Sequence, residues 1–215
     1  MKANPALLPD MIQAIADTIE KNAEEVTALD QAIGDGDHVT NLQRGINALV
    51  AQSTELSQLD WPAAWQKIGM TLMTTVGGAS GSLYGTLFIA MGKATGARPM
   101  NMETFADIFS QGVEAVKKRG KADAGEKTML DVLIPVAEYL RQAAAESAAL
   151  RDVLENTSRV AVAGMESTRD MLARKGRASF LGERTRGHID AGARTGQLMI
   201  CALTEVLAQA SATPS

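Results

Sequence analysis

Cysteine occurs once in the 215 residues, at Cys201, so no internal disulfide can form. One cysteine and two histidines also fall short of the four-ligand set of an ordinary structural zinc site, which leaves oxygen as the ligand of any bound metal. No stretch approaches the roughly 18 consecutive apolar residues of a membrane span. The N-terminus MKANPALLPDMIQ lacks the basic region and apolar core of a secretion signal, so the expectation is a cytoplasmic chain with no membrane partner. Positive charge is not in excess: 21 Lys and Arg stand against 25 Asp and Glu, for a net charge of −4. The basic residues are dispersed apart from Lys117–Lys121 and Arg174–Arg186, a distribution that argues against a broad nucleic-acid-binding face. Strand-like alternation is nearly absent as well.

What the sequence does have is helical periodicity. Leu8, Met11, Ile12, Ile15 and Ile19 recur at helical spacing, as do Leu42, Ile46, Leu49 and Val50. The pattern continues in Trp61, Trp65, Ile68 and Leu72, in Leu83, Leu87, Phe88 and Met91, and in Phe105, Ile108, Phe109, Val113 and Val116. Three more helices run from Leu130 to about Ser147, from about Leu150 to Ala173 and from about Gly192 to Ala210, with Pro135 tolerated near a helix start. At 46% hydrophobic, residues 1–215 are expected to form one all-α domain of about eight helices.

Four segments rich in glycine or charge interrupt this pattern: 29–45, 75–85, 119–131 and 175–193. If consecutive helices run antiparallel, all four are odd-to-even junctions and lie at one end of the bundle. The remaining junctions, near Ser53–Asp60, Gly96–Glu103 and Glu146–Leu150, carry ordinary loop residues. A site would therefore assemble from four loops at a single end.

The first segment places Asp30, Asp35 and Asp37 around a flexible turn, where three carboxylates would repel one another without a cation. Magnesium suits such hard oxygen ligands, though a solvated turn with capping aspartates fits the composition equally well. In the second, Val76–Gly81 opens a helix with small residues and the hydroxyl of Ser80. This is either an anion cradle or a tight turn capped by Ser80. The third nearly spells a phosphate-binding loop, but Glu126 intrudes before Lys127 and a helix precedes it, which excludes the strand-linked motif. Lys127 or Thr128 could still touch phosphate, and Met129 could line an adenine pocket. The fourth gathers Lys175, Arg177, Arg184, Arg186 and Arg194 around Asp190, a density suited to neutralising an anion. His38 and His188 each fall in a special loop, and Cys201 falls in the last apolar helix, where core packing is expected.

Taken together, Gly34-Asp35-Gly36-Asp37-His38 with Asn41, Gly77-Gly78-Ala79-Ser80-Gly81, Lys127-Thr128-Met129-Leu130-Asp131 and Lys175-Gly176-Arg177-Ala178-Ser179 resemble the nucleotide-binding L subunit of dihydroxyacetone kinases. The resemblance runs essentially end to end. It implies an eight-helix antiparallel up-and-down barrel with the nucleotide at one end. It also implies two magnesium ions on Asp30, Asp35 and Asp37, bridging the phosphates of ADP or ATP. His38, Asn41, Ala79 and Ser80 match positions around the phosphates; Gly120, Thr128, Met129, Arg177, Asp190, Ala191 and Gly192 match positions around the nucleotide. No general base is assigned.

The implied activity is phosphoryl transfer to a keto-sugar such as dihydroxyacetone, held on a separate K subunit, with ATP as donor or with ADP rephosphorylated by a phosphotransferase-system protein. Alternatives are a kinase subunit for a related tetrulose, a non-catalytic regulatory subunit, the related nucleotide domain of fatty-acid kinases and, for assembly, a homodimer. The sequence departs from the family pattern at Val39, Ser82 and Ala191, which stand where glycine, proline and proline are common. A β-branched Val39 is expected to alter the loop beside the metals, and Ala191 to loosen the turn at Asp190.

Overall fold

The computed structural model describes residues 4–212. It contains the helices α1 (Leu8–Lys21), α2 (Ala23–Ile33), α3 (His38–Leu56), α4 (Trp61–Thr75), α5 (Gly78–Thr95), α6 (Met102–Gly120), α7 (Leu130–Ala145), α8 (Leu150–Ser167) and α9 (Ala191–Ala212). Short 3-10 segments occupy Pro5–Leu7, Thr168–Asp170 and Arg177–Thr185, and there is no strand among the described residues. The all-α architecture expected from the periodicity is the architecture observed.

The expected first helix is two pieces. Asn22 donates from Nδ2 to the carbonyl of Thr18 at 2.7 Å, a side-chain bond that competes with the helical ladder, and its backbone leaves the helical region at φ −106°. Counting α1 and α2 as one bent rod gives the eight rods of the sequence reading. Elsewhere the helix starts follow local chemistry. The side chain of Asp60 accepts from Ala63 N at 2.9 Å to begin α4, and Asn101 accepts from Thr104 N at 2.8 Å to begin α6. At the other end of α6, Lys117, Lys118 and Arg119 fall in the last turn, and Lys121 takes the left-handed conformation that closes it. Pro135 sits inside α7 without interrupting it.

Helix α8 ends at Ser167 rather than near Ala173. Thr168, wholly buried, donates its hydroxyl to Met165 O at 2.7 Å and accepts Asp190 N at 3.1 Å, while its carbonyl receives the ammonium of Lys127. The Thr168 carbonyl also accepts Met171 N at 3.2 Å in a 3-10 turn, and the chain leaves the α-helix there.

The rods pack in sequence around a ring, α1 on α3, then α4 through α9, and α9 returns to α1 to close it. Gly69 on α4 permits one close contact, a Cβ there lying 2.8 Å from Gly85 O of α5, and Gly164 on α8 a closer one, 2.3 Å from Asp131 O of α7. Two apolar clusters fill the interior, one centred on residues such as Leu42, Ile68, Leu87, Ile108 and Leu130, the other on Val132, Val136, Val153 and Met165. Leu29, Phe105, Phe109 and Ile200 pack against both, which makes the core continuous. Val39, as the second residue of α3, is 3% exposed and has a negative φ, so its side chain feeds the core and the loop beside the aspartates carries no strain from it. Among the described residues no helix is long and apolar enough to cross a membrane.

Candidate functional site

Antiparallel packing brings the turns α2–α3, α4–α5, α6–α7 and α8–α9 to the same end of the ring, as the alternation of ordinary and unusual loops requires. They enclose a cleft of about 380 Å³ that is lined from all four, a size within the range of small-molecule sites. Asp30, Asp35, Asp37, His38, Asn41, Ala79, Ser80, Gly120, Thr128, Met129, Arg177, Asp190, Ala191 and Gly192 all line it. A hollow of about 400 Å³ beside Lys117 and Lys118 has a different character. Its Lys117 is already paired, Nζ lying 3.3 Å from Glu114 and 3.1 Å from Asp123.

The carboxylate oxygens of Asp30, Asp35 and Asp37 lie within 4.8 Å of one another. Asp37 precedes α3, yet its side chain makes no capping hydrogen bond, so the reading of these residues as a capped turn fails for it. Asp30 Oδ2 instead accepts His38 N at 3.1 Å, which caps α3 from a distance and fixes that carboxylate. Gly34 makes this approach feasible, because a Cβ on it would lie 2.2 Å from Asp30 Oδ1. Gly34→Ala is accordingly expected to displace the Asp30 carboxylate and lower stability by about 1–3 kcal/mol. Urea unfolding would measure that loss, and magnesium titration would show weakened binding in the same variant.

Arg177 forms an ion pair with Asp35 and so ties the 3-10 segment Arg177–Thr185 to the acidic turn. Helix α5 begins at Gly77 with no side-chain cap, and Ser80 sits within its first turn rather than capping it. The first-turn N–H groups of α5 are thereby left facing the cleft, the arrangement that favours an anion. His38 Nδ1 lies 3.1 Å from Ser80 Oγ, and Nε2 lies 2.9 Å from Thr195 Oγ1. Burial pulls the imidazole below its ordinary range, against the attraction of Asp30, Asp37 and Asp35, and favours the neutral ring.

The α6–α7 turn corrects the expectation for Lys127. Its side chain is 1% exposed, and its ammonium donates to the carbonyls of Thr168, His188 and Arg169, so it clamps the α8–α9 connection and has no free donor geometry toward phosphate. Burial lowers its ionisation, while Asp190, Asp170 and Asp131 act the other way. Thr128 Oγ1 accepts Leu130 N at 3.1 Å, and the buried carboxylate of Asp131 accepts Gly125 N at 2.5 Å and Thr128 N at 2.7 Å, which fixes the turn. Met129 is 5% exposed, half core and half cleft wall. Asp190 Oδ2 accepts Ala193 N at 2.8 Å to start α9, and burial pushes its carboxyl up to about 6. That cap, the bond to Thr168 and the buried position of Ala191 as the first residue of α9 hold the turn, so the alanine does not loosen it.

Tyr84 and Val116 were not expected in the wall, which Ser82 and Leu83 also enter. Ser82 accepts Arg119 Nε at 2.7 Å across the rim, Tyr84 lies beneath, and Leu83 and Val116 provide apolar surface. Thr195, wholly buried behind His38, carried no sequence signal at all. His188 enters only through its carbonyl, and Cys201 is partly buried with its sulfur 3.2 Å from Gln197 Nε2.

Fold and cleft together define an all-α barrel that concentrates its polar chemistry at one open end. The chain belongs to the DAK2 domain family, whose model matches residues 32–205. It is similar to the ADP-binding subunit DhaL of the PEP-dependent dihydroxyacetone kinase of Escherichia coli, 42% identical over 86% of this chain and 88% of that one. A DhaL subunit of Listeria innocua, of PEP-dependent dihydroxyacetone kinase 1, is 41% identical over 87% of this chain and 89% of that one. Among solved structures, the dihydroxyacetone kinase of C. freundii in complex with AMP-PNP and Mg2+ superposes with a TM-score of 0.72 at 25% identity, covering 95% of this chain. This chain spans 34% of that larger kinase.

Proposed function

We propose that this chain is the nucleotide-binding subunit of a dihydroxyacetone-type kinase, a phosphotransferase in two parts whose keto-sugar is held on a separate K subunit. The observation that carries the reading is the trio Asp30, Asp35 and Asp37, gathered within 4.8 Å in the same cleft as the uncapped start of α5. Three hard oxygen donors with no capping duty on Asp37 suit magnesium, two ions in this reading. Bound there, magnesium would neutralise phosphate oxygens and polarise the group in transfer. Asp30, Asp35 and Asp37 would hold it, and the first-turn N–H groups of α5 would receive the phosphates. His38, Asn41, Ala79 and Ser80 flank that position, while Met129, Gly120 and the Asp190–Gly192 turn bound the remainder of the nucleotide. Arg177, the more exposed partner of its ion pair with Asp35, would offset charge on the terminal phosphoryl group.

Two features support a partner at the cleft mouth. Phe180 is 88% exposed beside Arg177, an unusual position for a large apolar ring. Among the described residues the cleft also offers no positioned base for a sugar hydroxyl outside the groups already engaged. The relatives of matching length are named ADP-binding subunits of PEP-dependent kinases, which favours ADP as a retained cofactor recharged by a phosphotransferase-system protein. The reading places the work in the cytoplasm.

Calorimetric titration of nucleotide-stripped protein with ADP and ATP, each with and without magnesium, tests the proposal. Magnesium-dependent binding, tighter for ADP, is expected; absence of binding to either nucleotide would remove the kinase reading and leave a regulatory subunit. The isolated chain with magnesium and ATP is further expected not to phosphorylate dihydroxyacetone, and turnover by the pure chain alone would refute the two-part assignment.

A further inference from the structure

Arg194 belongs to the basic cluster that the sequence offers for neutralising an anion, yet it is not among the residues that line the cleft. It leaves the first turn of α9 and reaches sideways to α2. Its Nε donates to Glu25 Oε1 at 3.0 Å and its Nη2 to Glu25 Oε2 at 2.8 Å, a fork that engages both carboxylate oxygens. The remaining Nη1 donates to Gln197 Oε1 within α9, and Gln197, itself buried, donates to Cys201 Sγ at 3.2 Å. The Arg194 side chain, 18% exposed, is thereby anchored on α9 where it meets Glu25.

The helix it grips is otherwise loosely held. α2 is detached from α1 by the break at Asn22 and from α3 by the turn at residues 34–37. Only Val26 and Ile33 of α2 are buried, and Ile33 stands in the cleft wall. Among the described residues, two α2 side chains reach other elements through hydrogen bonds or ion pairs: Asp30, bonded to His38 N at the nearby start of α3, and Glu25. Yet α2 leads into the acidic turn and itself carries Asp30 of the carboxylate trio.

We infer that Arg194 is a positioning residue that fastens α2, the arm bearing Asp30, to the α9 turn that follows Asp190 and Gly192 in the cleft wall. The forked pair joins the metal side of the cleft to its nucleotide side. When it opens, α2 is free to swing at Asn22 and to take the Asp30 carboxylate out of the trio. Lysine is a poor substitute, since a single ammonium has no fork. The fastening stands on the contacts alone, and its consequence for magnesium rests on the function proposed above.

Amide hydrogen exchange of the nucleotide-free full chain tests the inference. Arg194→Met and Glu25→Gln are each expected to speed exchange across residues 23–33 about fivefold, the size that fits loss of a half-exposed forked pair, with α1 and α4 unchanged. The double variant should match either single one, because both remove the same pair, and Arg194→Lys should fall between. Saturating magnesium–ADP should restore slow exchange in every variant, whereas ADP without magnesium should not. Magnesium–ADP affinity should fall by up to about fivefold, the limit set by the share of chains whose arm is closed. Unchanged exchange in α2, equal acceleration in α1 and α4, or additive effects in the double variant would overturn the inference. If Arg194→Met does not fold, Glu25→Gln, which alters a half-exposed carboxylate, still decides. Failure of the native chain to bind magnesium–ADP would count against the nucleotide reading and leave the exchange result standing.

Discussion

Asp35→Asn is expected to weaken magnesium–nucleotide binding on the order of a hundredfold, close to 3 kcal/mol by the equivalence of 1.4 kcal/mol to each factor of ten. Asparagine keeps the shape and one carbonyl oxygen but removes the charge that lets three oxygens share a cation. The variant also loses its ion pair with Arg177. That loss alone has little thermodynamic weight, because the Arg177 side chain is 68% exposed and the Asp35 side chain 31%, and exposed pairs contribute at most about 1 kcal/mol. The melting temperature should therefore stay near that of the parent while affinity collapses. Calorimetry in magnesium, paired with a thermal melt of the unliganded protein, separates the two effects. Unchanged affinity would reject the carboxylate trio as a metal site.

Lys127→Met should do the opposite and strike stability first. Methionine fills much of the same volume but leaves the carbonyls of Thr168, His188 and Arg169 without their shared donor in a site that is 1% exposed. Unsatisfied buried acceptors of this kind cost about 1–3 kcal/mol each before relaxation, and water entry recovers part, so a net loss of about 3 kcal/mol is expected. Urea unfolding would register it as a lower midpoint. Nucleotide affinity should fall as well, since the clamp fixes the connection that carries Arg177 and Asp190. A change below about 0.5 kcal/mol, the size of an ordinary surface substitution, would mean that the carbonyls do not depend on the lysine.

These two residues also mark what the sequence can and cannot reveal. Asp35 was legible because glycine and aspartate crowd a junction between two strongly periodic helices, and the parity of the junctions then placed it with Ser80, Met129 and Asp190 at one end. Lys127 was misread because its neighbours mimic a phosphate-binding loop. Its real partners are backbone carbonyls 41 to 61 residues away, and a carbonyl has no residue-specific signature. The same blindness hid the early end of α8 at Ser167, just before those carbonyls, and the break at Asn22, where one amide competes locally with the ladder. Val39 failed for a different reason: a departure from a family glycine suggested strain, whereas the chain simply begins α3 at His38 and turns the valine into the core. Thr195 was silent because a threonine on an apolar helix face looks like filler until the ring beyond it is seen.

The return of α9 onto α1 settles where a neighbouring polypeptide can be joined. The bent rod α1–α2 runs toward the cleft and α9 runs away from it, so Leu8 and Ala212 both stand at the opposite pole. Tethers attached at either point leave the mouth unobstructed. The barrel is thus a portable cartridge: a longer kinase holds the same fold as 34% of its length without rebuilding the four-loop end.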